Sequence, residues 1–202
     1  MAAPALDFWF EFASPYTYIA VSRIESLATE AGVSIHWKPF LLGPVLKHHG
    51  SKPMILEQPW KVAYWLRDFE RLCGKYGLSC HYPSRQPFSL LAARIALVGL
   101  ERGWGIEFIK AVFHAEFGEG KDIASKHVLA PMLEALGLDA EETFAVATSN
   151  TIKQQLREQT SRAIERGVFG SPTFYTQDGE MFWGQDRLED ALAWATGAPT
   201  DK

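Results

Sequence analysis

The stretch Gly167–Arg187, GVFGSPTFYTQDGEMFWGQDR, decides the fold. Gly170-Ser171-Pro172 leads into a short apolar run, Thr173 to Thr176. Gln177-Asp178-Gly179 is a turn signal, with Asp-Gly its strongest part. A second run, Glu180 to Trp183, follows, and Gly184-Gln185-Asp186 opens a final helix. Proline lacks the N–H that a ladder needs, so Pro172 at the head of a strand belongs at a sheet edge or a special turn. Taken alone, the stretch reads as an edge hairpin. It leaves the Ser171–Pro172 peptide bond open between cis and trans.

The N-terminus supplies a partner. Leu6–Phe12, LDFWFEF, is a strand pattern with Asp7 and Glu11 as its only charges. Ala13-Ser14-Pro15-Tyr16 follows at once, with Ser14 suited to a helix cap and Pro15 to the first helical position. Amide N–H groups and the helix dipole at such a joint favour negative charge. Tyr16 to Ala31 carries an apolar face of Ile19, Ile24, Leu27, Ala28 and Ala31, and Gly32 sits just past its end. In Val33–Pro39, VSIHWKP, Val33, Ile35 and Trp37 alternate with polar residues. Strand, helix and strand in this order make a right-handed parallel crossover.

Between the two ends the patterns are helical. Helices are expected over Trp60–Tyr76, Phe88–Arg102, Ile106–Glu116, Thr143–Thr148 and Asn150–Arg166, with Pro131 near the start of another and a last helix over Arg187–Thr196. Strands only at the ends, with helices between, imply an α/β fold whose sheet is interrupted by an all-helical insertion. The expected division is 1–40 for the first part of the sheet domain, 41–164 for the insertion and 165–202 for the second part.

Composition narrows the function. The 202 residues carry a formal net charge of −4 and no basic block, which argues against nucleic acid as a partner. No apolar run reaches the roughly 18 residues of a membrane span. The N-terminus shows no basic segment followed by an apolar core, which favours the cytoplasm. Cys73 and Cys80 lack metal-site spacing and read as free thiols. His48-His49 has no carboxylate or cysteine cluster at ligand spacing, so no metal site is expected.

FEFASPYTYIA after the first strand resembles the start of the 2-hydroxychromene-2-carboxylate isomerase and kappa-class glutathione transferase family. Further motifs agree in order. They are Lys61, Tyr64, Asp68 and Arg71 on one helix, Pro83-Ser84-Arg85, Phe117-Gly118-Glu119-Gly120, Gly167–Pro172, and Phe182–Arg187. The resemblance spans about Asp7 to Trp194. It implies a thioredoxin-like fold with a large helical insertion, a cis Pro172, a homodimer, and glutathione as cofactor.

By that resemblance Ser14 would hydrogen-bond the glutathione sulfur. Ser171 before Pro172 would pair its backbone with the cysteinyl part of the tripeptide, and Val168 would offer backbone contacts. Asp186 would hold the γ-glutamyl amine with Gln185 beside it, and Lys61 would approach a carboxylate. Trp9, Phe40, Trp60, Tyr64 and Arg85 are the candidates for an aromatic or electrophilic small-molecule substrate. The implied activity is glutathione-dependent cis–trans isomerisation. A kappa-like transferase or peroxidase is the enzymatic rival, and a thioredoxin-like binding protein the non-enzymatic one. Where a dithiol oxidoreductase has two cysteines two residues apart, this chain reads Ser14-Pro15-Tyr16-Thr17. Disulfide exchange needs a thiolate from the protein, and none stands there.

Overall fold

The computed structural model describes residues 3–53, 56, 58–83 and 87–197. β1 (Ala5–Phe10), α1 (Pro15–Ala31) and β2 (Ser34–Pro39) form the opening crossover. Then come α2 (Leu42–His48), α3 (Val62–Tyr76), α4 (Leu90–Arg102) and α5 (Gly105–Phe113), which runs into a π-helical turn at His114–Gly118. α6 (Lys126–Ala135), α7 (Ala140–Ala147) and α8 (Asn150–Glu165) complete the helical block. β3 (Thr173–Thr176), β4 (Met181–Trp183) and α9 (Leu188–Ala195) end the chain. The sheet order is β2-β1-β3-β4; β2 runs parallel to β1, and β3 antiparallel to both β1 and β4.

β1 is central and covered on both faces, which is why LDFWFEF alternates only in part. Leu6, Phe8 and Phe10 face the main core with Ile19 and Ile24 of α1, and Phe8 stacks on Phe174 of β3 at 5.3 Å between ring centres. Trp9 faces the other way, into a smaller cluster with Phe40, Val45, Ala163, Val168 and Tyr175. That second face is closed by α8. Ala163 of α8 belongs to this cluster, and the Thr160 hydroxyl accepts the Leu41 N–H at 3.2 Å. The expected boundary at 164 thus leaves α8 with the insertion by sequence, while its last turns cover the sheet.

α1 shows how local sequence sets the geometry of the site. Ser14 is extended (φ −100°, ψ 114°) and its side chain accepts the Thr17 N–H, while Pro15 enters the first turn. Gly32 ends the helix in the left-handed region at φ 67°, where a side chain is strained. Pro131 departs from the sequence expectation: it lies inside α6 rather than near its start. Leu129 and Leu133, four apart and fully buried, hold that helix together through the proline. The Ser171–Pro172 peptide bond is cis.

Candidate active site

Three hydroxyls meet where α1 begins. Ser14 Oγ donates to the Ser171 carbonyl at 2.8 Å and accepts from Thr17 N at 3.3 Å. Thr17 Oγ1 lies 2.8 Å from Ser171 Oγ, which also accepts the Glu11 N–H at 2.9 Å. The end of β1, the mouth of α1 and the cis-proline loop are therefore tied through Ser171. Ser14 and Thr17 are buried, and Ser171 is half-buried. Most N–H groups around the mouth are already paired within the chain. Ala13 N donates to Glu11 Oε2 at 2.9 Å and Ser14 N to Glu11 O at 3.2 Å, while Pro15 has none to offer. Tyr16 N–H stands at the second position of the helix, with the helix dipole behind it.

Behind this cluster sits Glu11, only 3% exposed. Ser89, at the N-cap of α4, donates its hydroxyl to Glu11 Oε1, which links the insertion to the sheet domain. Burial pushes the Glu11 carboxyl up to about 7, and the bonds from Ser89, Ala13 and Phe12 offset only part of that. Near neutrality the acid and carboxylate forms are both well populated, so Glu11 carries less charge than an ordinary exposed carboxylate. Ser89 serves both forms, since a hydroxyl donates to a carboxylate and accepts from a carboxylic acid.

Tyr16 forms the outer wall. Its hydroxyl donates to Asp68 Oδ2 of α3 at 2.9 Å, and its ring meets Trp65 edge-on at 6.5 Å. Burial, and then the Asp68 carboxylate, hold this phenol well above its ordinary range, with smaller pushes from Tyr64 and Asp186. Tyr64 and Asp186 therefore lie within electrostatic reach of the Tyr16 hydroxyl. Trp60 and Tyr64 stand out into solvent, 73% and 69% exposed, and Lys61 beside them is exposed as well.

The far edge is built by β4 and the turn after it. Gly184 N donates to Pro172 O at 3.0 Å, fixing the turn against the cis-proline. Gly184 lies at φ 113°, and a Cβ there would meet Asp186 Oδ1 at 2.5 Å. Gln185 is buried with Oε1 at 3.5 Å from Arg23 Nη1, and Asp186 is exposed. Phe169 and Trp183 pair edge-to-face at 5.0 Å, and the Trp183 indole covers Gly170.

Of the residues named from sequence, Ser14, Ser171 and Pro172 are in direct contact or adjacent. Gln185 and Asp186 follow the turn fixed to Pro172. Val168 is fully buried with both backbone groups engaged: its N–H donates to Ala163 O at 2.9 Å, and His49 Nε2 lies 3.3 Å from its carbonyl. Trp9 and Phe40 are interior, meeting edge-to-face at 6.4 Å, and present no free ring face. Arg85 lies outside the described residues. Sequence reasoning passed over Glu11, Tyr16, Thr17 and Ser89; an acid between two phenylalanines, Phe10 and Phe12, was the signal for Glu11. Among the described residues no group of histidine, cysteine and acidic side chains is placed to hold a metal. No helix there is long and apolar enough to cross a membrane.

The model of the DSBA-like thioredoxin domain matches residues 5–193. The chain belongs to this family. A 2-hydroxychromene-2-carboxylate isomerase from Pseudomonas putida is 32% identical over 184 residues, covering 91% of this chain and 90% of its own. Glutathione S-transferase kappa 2 of Caenorhabditis elegans is 27% identical over 197 residues, covering 91% and 88%. The solved structure of a 2-hydroxychromene-2-carboxylate isomerase superimposes with a TM-score of 0.86 at 31% identity, over 96% of this chain and 94% of its own. This DSBA-like domain thus sits in the branch of isomerases and kappa-class transferases that the motifs indicated, and its relatives there are enzymes. In it, Ser14 stands at the mouth of the first helix, and Cys73 and Cys80 are free thiols. Cys73 is buried in α3, and burial and the neighbouring Cys80 push its thiol up to about 12, far from a reactive thiolate.

Proposed function

We propose that this protein is a glutathione-dependent isomerase acting on 2-hydroxychromene-2-carboxylate or a closely similar conjugated aromatic acid. One observation carries the reading: the Ser14 hydroxyl, capping α1, lies 2.8 Å from the carbonyl that precedes cis-Pro172. A helix mouth, a small hydroxyl cluster and a Glu11 carboxyl raised by burial suit a soluble thiol held as its anion.

The residues present fit glutathione. Ser14 and the Tyr16 N–H would face the sulfur, Ser171 the cysteinyl backbone, Gln185 and Asp186 the γ-glutamyl amine, and Lys61 a carboxylate. When bound, glutathione supplies a thiolate nucleophile that adds to the substrate, permits bond rotation after ring opening, and leaves again. The chain's own residues bind and orient. Ser14 turns its proton from Ser171 O toward the anion while its lone pair still accepts Thr17 N–H. The Ser171 carbonyl is then free to accept a peptide N–H from the ligand. Lys61 and Tyr64, exposed at the start of α3, would meet the carboxylate and oxyanion of the substrate, with Trp60 offering a ring face. Val168, with both backbone groups already paired, acts by shaping the loop. Trp9 and Phe40 support the wall from inside.

The same site supports a kappa-like transferase or peroxidase as the second reading, favoured by the match to kappa-class transferases over most of their length. The proposal extends to a homodimer, which the family resemblance of the sequence implies, working in the cytoplasm; light scattering and fractionation check both. The deciding experiment measures the ultraviolet thiolate absorbance of bound glutathione, then turnover of hydroxychromene carboxylates, chlorodinitrobenzene and organic hydroperoxides. The reading expects catalytic return of glutathione and interconversion of the hydroxychromene isomers. Ser14→Ala lowers the thiolate fraction at neutral pH; an unchanged fraction removes Ser14 from the role.

A further inference from the structure

We propose a second binding site, for a small oxyanion, on the face of the sheet opposite α1. A cavity of about 270 Å³ opens there between β1, β2 and the last turns of α8. Trp9 forms part of its wall; it is 2% exposed, and its indole N–H is buried without an acceptor. A buried donor with no partner gives up its hydration for nothing, so a ligand that accepts from it recovers that loss.

The surrounding charges favour an anion. Lys38 and Arg162 line the cavity, and neither forms an ion pair among the described residues. Two carboxylates also line it. Asp7 is already engaged, with Oδ2 at 3.0 Å from Arg166 Nη1 and Oδ1 at 3.1 Å from His36 Nδ1. That leaves Glu165 against two free cations, on a chain whose formal net charge is −4. The Gln159 side chain adds an amide donor. An ammonium, a guanidinium, an amide and an indole N–H around a space below the usual roughly 300 Å³ of small-molecule pockets suit a ligand of few heavy atoms. The shared chemistry is a carboxylate or phosphate group. The register places the site independently of Ser14: Trp9 pairs with Lys38 across β1 and β2, so both side chains share the face away from α1.

The test uses the intact protein labelled with ¹⁵N at tryptophan. One indole resonance is assigned to Trp9 by its loss in Trp9→Phe. It shifts saturably on titration with inorganic phosphate or with malonate, and not with sodium chloride at matched ionic strength. The oxyanion that saturates it tells a phosphate site from a carboxylate site. Calorimetry on the wild type, Lys38→Gln and Arg162→Gln reads the affinity without the Trp9 variant, and each substitution weakens it by about tenfold or more. Ser14→Ala leaves it unchanged, so failure here and failure of the glutathione reading are separate results. Silence toward both oxyanions, a shift that chloride reproduces, or affinities untouched by both charge substitutions would overturn the proposal.

Discussion

Glu11→Gln tests whether a buried acid behind the helix mouth is carried mainly in its neutral form. Folding lifts the Glu11 carboxyl from 4.5 to about 7, with burial as the largest cause. Between those values the folded chain holds more protons than the unfolded one, so stability falls as pH rises. The contribution is fully present below the unfolded pKa and is gone once pH passes the folded one. At about 1.4 kcal/mol for each pH unit, ionising Glu11 in the folded chain costs about 3 kcal/mol in all. Roughly 2 to 3 kcal/mol of this falls between pH 5 and pH 8. For a chain of this size that is a drop in Tm of about 5–10 °C. The amide introduced by Glu11→Gln keeps the shape, accepts the Ala13 N–H and donates to Ser89, but does not titrate. Calorimetric Tm against pH for both proteins isolates this one group, because the other titrations cancel in the difference. The wild-type curve should fall relative to the variant's from pH 5 to 8. Parallel curves would refute the reasoning and leave Glu11 ionised throughout.

Gly170→Ala puts a Cβ into the Trp183 indole and should cost about 1–3 kcal/mol by thermal or urea unfolding; Trp183→Ala in the same background should return part of it. Phe174→Ala removes a fully buried ring stacked on Phe8 and should cost about 3–5 kcal/mol, seen as a lower urea midpoint at unchanged m. Glutathione should bind more tightly than mercaptoethanol by at least about tenfold in calorimetry, because a simple thiol that turns Ser14 away leaves the Ser171 carbonyl without a donor. Equal affinities would mean that Ser171 O takes no part in binding.

The fold was legible because its signals are local. Ser14-Pro15 announces a capped helix, VSIHWKP alternates, and Asp178-Gly179 sits between two short strand runs; each element lies within a residue or two of where these signals put it. Pro131 shows the limit. Local propensity places proline at a helix start, but Leu129 and Leu133 pack on the core and carry α6 through it. Trp9 and Phe40 show a related limit. An aromatic residue in a strand suits a pocket or a core equally, and only the position of α8 over the second face of the sheet makes them core.

The site divided along the same line. Ser14 was legible as a cap because capping is read from neighbours, whereas the cis bond at Pro172 was implied only by the family resemblance. Glu11 was not, because its environment is assembled from afar. Ser89 lies 78 positions away and Ser171 lies 160, and neither spacing repeats any local period. Yet the acid has a sequence trace once its physics is known. Glu11 sits between the buried rings of Phe10 and Phe12 and is itself buried, so a carboxylate there must be paired, neutral or at an open edge. The tight turn through Ala13 into the helix closes the open-edge choice, and no cation lies among the groups that set its pKa. A hydrogen-bonded acid whose carboxyl is pushed up by burial is what remains. It suits the proposed thiolate site, because a full fixed anion beside the helix mouth would oppose a thiolate that the dipole favours.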